Sequence, residues 1–393
     1  MKKILFVHHS AAWGGAPSCM INIINSLDKA KYEVEVLLLK NSIVASKLEE
    51  NGIKYRIADS IFYCKYYKFF PHSEAGYIKW YQIYTFIEYS ILWLLSRYIY
   101  AEKELSKSDV DIIHLNSSVL TDWLAPSRRK GKVIIHIREP FRRGRVDILH
   151  HFFKFLIKKH ANQIIAISKD NSRRIGILKA TKVIYDYCSF TQSEPSLNSY
   201  ESKKVLYLGG SSPSKGFYTL VASLDYLGKD VVVYFGGHYT IDKKPRNIIK
   251  LIIYYISNAK KREKALKKIE GHPNARLIGL IYDVGRYLED VCCLVSPFSV
   301  PHFSCPVIEA HSFMKPAIGS NVAGMEEIIE HEMNGLIVPK NDARALAVSI
   351  NSLTGDCVKA MKYGKNGYAI ASKKFTSQNI QQFIDLYNKI SLE

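Results

Sequence analysis

Short apolar runs alternate with amphipathic stretches along almost the whole chain, and a polar interruption divides the alternation near its middle. KILFVHH (Lys3 to His9) reads as a buried strand, followed by the loop SAAWGGAPS and a helix from about Pro17 to Leu27. YEVEVLLLK and IKYRIAD are the next strands, with a helix over Ile43 to Asn51 between them. After a long aromatic segment come the strands DVDIIHLNS and KVIIHIRE, a helix from about Ile148 to His160, then the strands NQIIAIS and KVIYDY. Thr191 to Lys204 is polar and reads as a linker. Beyond it the same rhythm resumes: KVLYLGG, a helix over Phe217 to Leu227, DVVVYFGG, a long helical stretch, ARLIGLI, a helix, CCLVSP, a helix from about Pro306 to Phe313, and PAIGS. Alternating strands and helices on both sides of a linker predict an α/β protein with two doubly wound parallel sheets. The expected domains are 1–190, with an aromatic and basic helical segment over 62–105, and 205–372. The linker is 191–204, and a C-terminal helix in 373–393 is expected to pack back towards the first domain.

Size and charge narrow the picture. At 393 residues, two domains of somewhat under 200 residues suit the chain better than one core. A net charge of +19 points to an anionic partner. Nucleic acid is not that partner on this reading, because no helix-turn-helix, zinc finger or RNP-like motif is present. The seven cysteines are scattered, with no C-x-x-C pair, which predicts reduced thiols in a cytoplasmic protein. The apolar run Ile4 to Val7 is too short for a signal peptide, and no stretch of about eighteen apolar residues could span a bilayer.

Candidate chemistry sits in loops at the carboxyl ends of strands, the ligand side of such sheets. Glycine pairs follow three strands: Gly14-Gly15, Gly209-Gly210 and Gly236-Gly237. None fits G-x-G-x-x-G, so a dinucleotide fingerprint is absent. Glu309 lies about one turn inside a helix whose N-terminus follows a strand, where backbone N–H groups favour phosphate. A carboxylate there repels phosphate, which leaves a sugar hydroxyl as its target or a plain solvated helix face. Lys215, opening a helix after a glycine turn, is either a phosphate contact or a solvated loop lysine. Asp109-Val-Asp111 is formally a D-x-D, but it introduces a strand and is read as structural. His8-His9 lacks partners at metal-ligand spacing.

Three stretches together carry a family resemblance. They are LGGSSPSKGFYTLVASLDYL, GLIYDVGRYLEDVCCLVSPF, and HFSCPVIEAHSFMKPAIGSNVAGMEEIIEHEMNGLIVPKNDARALAVSI. They resemble the retaining glycosyltransferases of family 4, and WGGAPSCMINIINSL, DIIHLNS, VIIHIREP and ANQIIAIS are similar to that family's acceptor domain. The resemblance implies the GT-B fold, two Rossmann-like domains facing across a cleft. It also implies transfer of a sugar from a nucleotide-diphosphate donor with retention, without a metal or other cofactor. By the same resemblance Lys215 binds the donor diphosphate, Glu309 holds the nucleotide ribose, and His136, in the loop after its strand, lies near the transferred sugar. Gly14, Gly15, Gly210, Gly237, Ile281, Phe303, Ser304, Cys305 and Val307 complete the implied donor site, while Glu327 and Gly335 match the segment after the catalytic helix. Three positions depart from the family: Pro301 replaces a glutamate that faces the donor sugar, Gly210 an arginine, and Ala323 one of two paired glycines. Arg138, Arg142 or Arg143 is the expected source of the missing positive charge.

Phe62 to Tyr100 interleaves aromatic, apolar and basic residues, and Ile148 to His160 is a second amphipathic, basic stretch. Both predict a helical pair facing an anionic membrane or a lipid-borne acceptor. The expected function is extension of a glycan or polyprenyl-linked acceptor in cell-surface polysaccharide, lipopolysaccharide O-antigen or capsule synthesis, peripheral on the inner face of the cytoplasmic membrane. The alternatives are a GT-B nucleotide-sugar epimerase and a non-catalytic glycan- or lipid-binding partner.

Overall fold

The computed structural model describes residues 1–9, 13–66, 73, 83–188, 190, 195–239, 254–255 and 259–390. The chain forms two compact units, one of Met1–Tyr187 with Ser377–Glu393 and one of Cys188–Thr376.

Unit 1 is built on a seven-stranded parallel sheet of order β3-β2-β1-β4-β5-β6-β7. Its strands are β1 (Lys2–His8), β2 (Tyr32–Leu38), β3 (Tyr55–Ile57), β4 (Ile112–Leu115), β5 (Lys132–Ile137), β6 (Gln163–Ala166) and β7 (Thr181–Val183). The apolar runs are continuous because both faces are covered. Leu5, Val7, Ile113, Ile135 and Ile137 pack on one face, and Ile4, Phe6, Ile134 and Ile165 on the other. Helix α1 (Gly15–Asn25) buries Met20, Ile23 and Ile24 against the second face. The C-terminal helix, Gln378–Ile390, adds Phe383, Leu386, Tyr387 and Ile390 to that face. Full burial of a side chain such as Phe6 contributes about 1.5–3 kcal/mol. The two carboxylates of the D-x-D hold the start of the sheet: Lys3 donates from its backbone N–H to Asp111 (2.8 Å) and from its ammonium to Asp109 (2.9 Å).

The aromatic segment divides between core and surface; 67–72 and 74–82 of it lie outside the described residues. Tyr63, Tyr66 and Tyr89 are buried in the core with Trp123. Helix α2 (Ile83–Leu95) keeps Tyr89 inside, whereas Ile83, Tyr84, Ile87, Ile91 and Leu94 are exposed, with Tyr98 just beyond it. These positions recur every three or four residues and therefore share one outer stripe. Helix α3 (Ile148–His160) exposes Ile148, Phe152 and Phe155, and Trp93 meets Phe152 with ring centroids 5.8 Å apart.

Unit 2 has a six-stranded parallel sheet of order β10-β9-β8-β11-β12-β13. Its strands are β8 (Lys204–Tyr207), β9 (Val232–Gly236), β10 (Ala275–Gly279), β11 (Cys293–Ser296), β12 (Ala317–Ser320) and β13 (Gly335–Val338). Part of the expected linker folds into this unit. Leu197–Glu201 is helical, and buried Tyr200 donates its hydroxyl to the Met314 carbonyl at 2.7 Å. An aromatic side chain amid polar neighbours was the local sign of that anchoring. Residues 240–253 and 256–258 of the long helical stretch lie outside the described residues, and Ala259–Gly271 is helical.

Candidate functional site

In unit 2 the loops after β8 and β11 are locked together. Tyr207 donates its hydroxyl to the Gly210 carbonyl at 3.1 Å, and Gly210 has φ 56° while its N–H bonds the Gly236 carbonyl at 3.0 Å. A Cβ on Gly210 would meet the His238 carbonyl oxygen at 2.3 Å, so the family's arginine cannot simply be restored here. Pro213–Lys215 makes one tight turn ending at Gly216, whose φ is 79°. A Cβ at Gly216 would lie 1.8 Å from the Pro297 carbonyl oxygen, and Ser299 donates from its N–H to the Ser214 carbonyl at 2.9 Å. Lys215 is thereby fixed beside the loop that leads into helix α5 (Cys305–Ser312; helix α4 is Phe217–Ser223). Gly216→Ala combines a backbone clash with a disfavoured conformation, and a loss of at least about 2 kcal/mol is expected in urea unfolding.

Helix α5 starts at Ser304, and no side chain caps it. The Ser304 hydroxyl is engaged by that of Ser296 at 2.8 Å, and Pro306 has no N–H, so the first turn points backbone donors outward with no internal acceptor side chain. Phe303 is buried edge-on to Phe375, and Val307 is fully buried, which anchors this end. Glu309 is half-buried, and its carboxylate accepts a hydrogen bond from no described residue. Burial pushes its pKa up to about 6. Lys215 is likewise half-buried, with no carboxylate partner among the described residues, and burial pushes its pKa down, opposed by nearby Cys305. A desolvated carboxylate and a desolvated ammonium, both without a partner of opposite charge among the described residues, are unfavourable and suit a ligand bearing hydroxyls and negative charge. Beside them His302 stacks on Phe298 (centroids 4.0 Å, planes 11° apart), its pKa lowered to about 3 by burial and then by Lys215. Ile281 reaches over Gly236, and Gly237 donates to the Gly279 carbonyl at 2.7 Å, closing an apolar ledge at the ends of β9 and β10. Glu327 ends a short turn (Met325–Glu327), and Gly335 starts β13, where a Cβ would meet the Ala317 carbonyl oxygen at 2.2 Å.

The unit 1 residues are placed differently from expectation. His136 is inside β5, not in the loop after it, and is fully buried. Gly14 precedes α1 with extended backbone, while Gly15 is already helical because α1 begins two residues earlier than Pro17. Arg138 gives both Asp186 carboxylate oxygens hydrogen bonds at 3.0 and 2.9 Å and gives Asn116 another at 2.9 Å. Arg142 is held by Asp147 at 2.8 Å, so the charge of each guanidinium is already matched within unit 1. Asn116, Asp186 and Glu139, which accepts from the hydroxyls of Ser117 and Ser118, went unremarked in the sequence. The signal for Asp186 was a lone charge in the apolar run KVIYDY, which needs a partner when buried.

Two α/β domains, each on a parallel sheet, of seven and six strands, are the GT-B architecture. Residues 189–370 match the family of glycosyl transferases group 1, so unit 2 carries a glycosyl transferase group 1 domain. Among curated proteins, the chain is similar to the capsular polysaccharide biosynthesis glycosyltransferase CapM of Staphylococcus aureus, 30% identical over 118 residues. It is also similar to the O-antigen chain mannosyltransferase C of Escherichia coli, 23% identical over 163 residues. These matches cover 30% and 40% of this chain and only 31% and 44% of those relatives. Among solved structures, Anabaena HepE in complex with UDP-glucose aligns with a TM-score of 0.74 at 19% identity, covering 99% of this chain and 100% of that one. TarM of S. aureus aligns with a TM-score of 0.72 at 13% identity, covering 99% and 100%.

Proposed function

We propose that the protein is a retaining, metal-independent glycosyltransferase that moves a sugar from a nucleotide-diphosphate donor to a glycan or lipid-linked acceptor in cell-surface polysaccharide synthesis. The observation that carries this reading is the pair of desolvated side chains, Glu309 and Lys215, without a partner of opposite charge among the described residues, beside the uncapped start of α5. Glu309 accepts the two ribose hydroxyls. Lys215 and the N–H groups at Ser304 and Cys305 take the diphosphate as negative charge grows on it during cleavage of the sugar–phosphate bond. The ledge around Ile281 and Gly237 seats the base. UDP is the nucleotide to try first, since HepE was solved with UDP-glucose. A panel of nucleotide sugars, assayed for hydrolysis and for thermal shift, tests the reading. Stabilisation by at least one nucleoside diphosphate is expected, and no response to any would end it. An epimerase would interconvert its donor without acceptor, and an inert binding partner would ignore nucleotides.

We further propose that unit 1 meets the acceptor at an anionic membrane surface, on the cytoplasmic side. No helix among the described residues is long and apolar enough to cross a membrane. The stripe Ile83, Ile87, Ile91 and Leu94 nevertheless faces outward, with exposed Phe152 and Phe155 nearby. Arg97, Lys159, Arg129 and Arg128 all act on His160 at the end of α3, lowering its pKa after burial, which marks a local concentration of positive charge beside the stripe. Apolar insertion flanked by basic residues, each adding about 1 kcal/mol near an anionic leaflet, is the interfacial pattern. Sedimentation with phosphatidylglycerol vesicles at low salt is expected, with Ile87→Glu/Ile91→Glu lowering the bound fraction about tenfold or more. Equal binding of the double variant, or none by the wild type, would remove the membrane from the account.

A further inference from the structure

Where the outer stripe of α2 ends, the helix loosens into a single π-helical turn, Ser96–Tyr100, before it resumes over Ala101–Leu105. Such turns are uncommon and occur often at functional sites. This one is fixed from inside. Ser96 is buried, and its hydroxyl donates to the Asp122 carboxylate at 2.5 Å and lies 3.1 Å from the Tyr63 hydroxyl. Arg97 is the next residue, so the anchored turn sets the direction in which it leaves the helix.

The Arg97 guanidinium carbon lies 5.3 Å from the centroid of the Trp93 ring and 5.7 Å from that of Tyr98. Trp93 is itself held, donating from Nε1 to the Thr121 hydroxyl at 3.2 Å and meeting Phe152 with centroids 5.8 Å apart. Phe152, Phe155 and Lys159 follow at helical spacing along α3, and the Lys159 ammonium lies 5.7 Å from the Phe155 centroid. An aromatic row, Trp93–Phe152–Phe155, thus carries a cation at each end. Neither cation pairs with a carboxylate among the described residues, and Arg97 Nη1 is buried with no described acceptor. The surrounding charge is one-sided. Around His160, the last residue of α3, stand Lys159 from its own helix, Arg97 from the π turn, and Arg128 and Arg129 from the helix Leu124–Lys130. Glu102 pairs with Arg129, while Arg128 donates to the neutral Asn162 side chain at 3.0 Å.

A lysine at a helix C-terminus answers the helix dipole, which accounts for Lys159. Arg97 lies inside a helix and has no such reason. A guanidinium stacked on an indole and short of an acceptor keeps its fork of donors for an anion. A small anion alone would have no use for the apolar stripe beside it, Ile83, Ile87, Ile91 and Leu94. A phosphate joined to an acyl chain answers both features.

We propose that Arg97 and Lys159 form a seat for the phosphate of an anionic lipid headgroup, with Arg97 giving it paired donors while the lipid's chain lies against the stripe. The seat rests on the membrane reading above, and it requires more than attraction between a basic surface and an anionic leaflet. Diffuse attraction is worth about fivefold in partition for one basic residue and does not distinguish arginine from lysine. A forked contact to phosphate does, because lysine offers a point charge in place of two parallel donors.

Sedimentation of the full chain with mixed phosphatidylcholine–phosphatidylglycerol vesicles is compared for wild type, Arg97→Lys and Arg97→Gln, with circular dichroism melting in parallel. Arg97→Lys keeps the charge and the ring contact, and its melting is expected to match wild type. Partition is expected to fall about fivefold to tenfold in Arg97→Lys and about 20-fold or more in Arg97→Gln. Wild-type binding by Arg97→Lys overturns the seat and leaves the membrane reading standing. Absence of binding by the wild type ends the membrane reading itself. The second measurement follows His160 by NMR in 15N-histidine-labelled protein, assigned with His160→Gln. Burial and then the neighbouring cations, Arg97 first, hold its pKa below the ordinary value. Phosphatidylglycerol bicelles are expected to raise that pKa in wild type, since a seated phosphate offsets the cations, and to raise it less in Arg97→Lys. Inorganic phosphate, which lacks the chain, is expected to act only at concentrations at least about tenfold higher than the lipid. Equal potency of inorganic phosphate would assign the seat to a free anion and overturn the lipid, and no response to bicelles would overturn the seat.

Discussion

Glu309→Gln is expected to lose donor nucleotide binding while making the unliganded protein more stable near neutral pH. Both effects come from one feature, a desolvated carboxylate without a partner among the described residues. Its pKa in the folded protein is about 6 against an ordinary value of 4.5, so the fold favours the protonated form. For a raised pKa, the stabilising contribution is fully present below the unfolded value and is lost as pH rises through the folded value. The wild type is therefore penalised above about pH 6, by at most about 2 kcal/mol for a shift of this size. Glutamine resembles the protonated acid and escapes that penalty. Urea unfolding at pH 7.5 should show the variant more stable by about 1–2 kcal/mol, with the difference vanishing near pH 4.5. Binding runs the other way, because ribose hydroxyls donate best to the ionised group. UDP affinity should rise as pH increases through about 6 in the wild type, and in the variant it should be about 100-fold weaker at pH 7.5. A glutamine variant that binds normally, or one that is destabilised at pH 7.5, would contradict this role.

Lys215→Ala carries the other large effect. In the proposed site Lys215 is the side-chain cation, among the described residues, that the locked loops of unit 2 hold beside the start of α5, and the resemblance puts Gly210 where the family has an arginine. Removing a preorganised group that answers charge developing in the transition state typically lowers kcat by 10²–10³, or about 2.7–4 kcal/mol. Relief of burial in Lys215→Ala should leave stability unchanged or slightly raised, so the loss cannot be blamed on unfolding. Steady-state hydrolysis of the nucleotide sugar, with circular dichroism melting in parallel, checks both halves. A fall of less than tenfold would mean that the helix end alone neutralises the leaving group.

Much of this arrangement was legible in the order of residues. Short apolar runs placed the strands, and the amphipathic stretch from about Pro306 to Phe313 placed the helix that carries Glu309. What local pattern could not show was pairing between distant residues. Arg138 looked available to a diphosphate until its bidentate contact with Asp186, forty-eight positions on, was seen. Nor does composition tell which aromatics lie inside. Tyr63 packs on Trp123 and Tyr66 on Tyr89, whereas Ile87 and Ile91, within the same apolar stretch, face outward. Gly15 entered the helix, against its usual turn preference, because glycine carries only a modest helical penalty and the packing of Met20 and Ile24 sets the axis.

The central claim, that Glu309 holds a nucleotide by its ribose, is tested most directly by comparing UDP with 2′,3′-dideoxy-UDP in isothermal titration. The wild type should prefer UDP by about 100-fold at pH 7.5, and Glu309→Gln should bind both nucleotides with similar, weak affinity. Equal wild-type affinities for the two would place the carboxylate elsewhere and contradict the account.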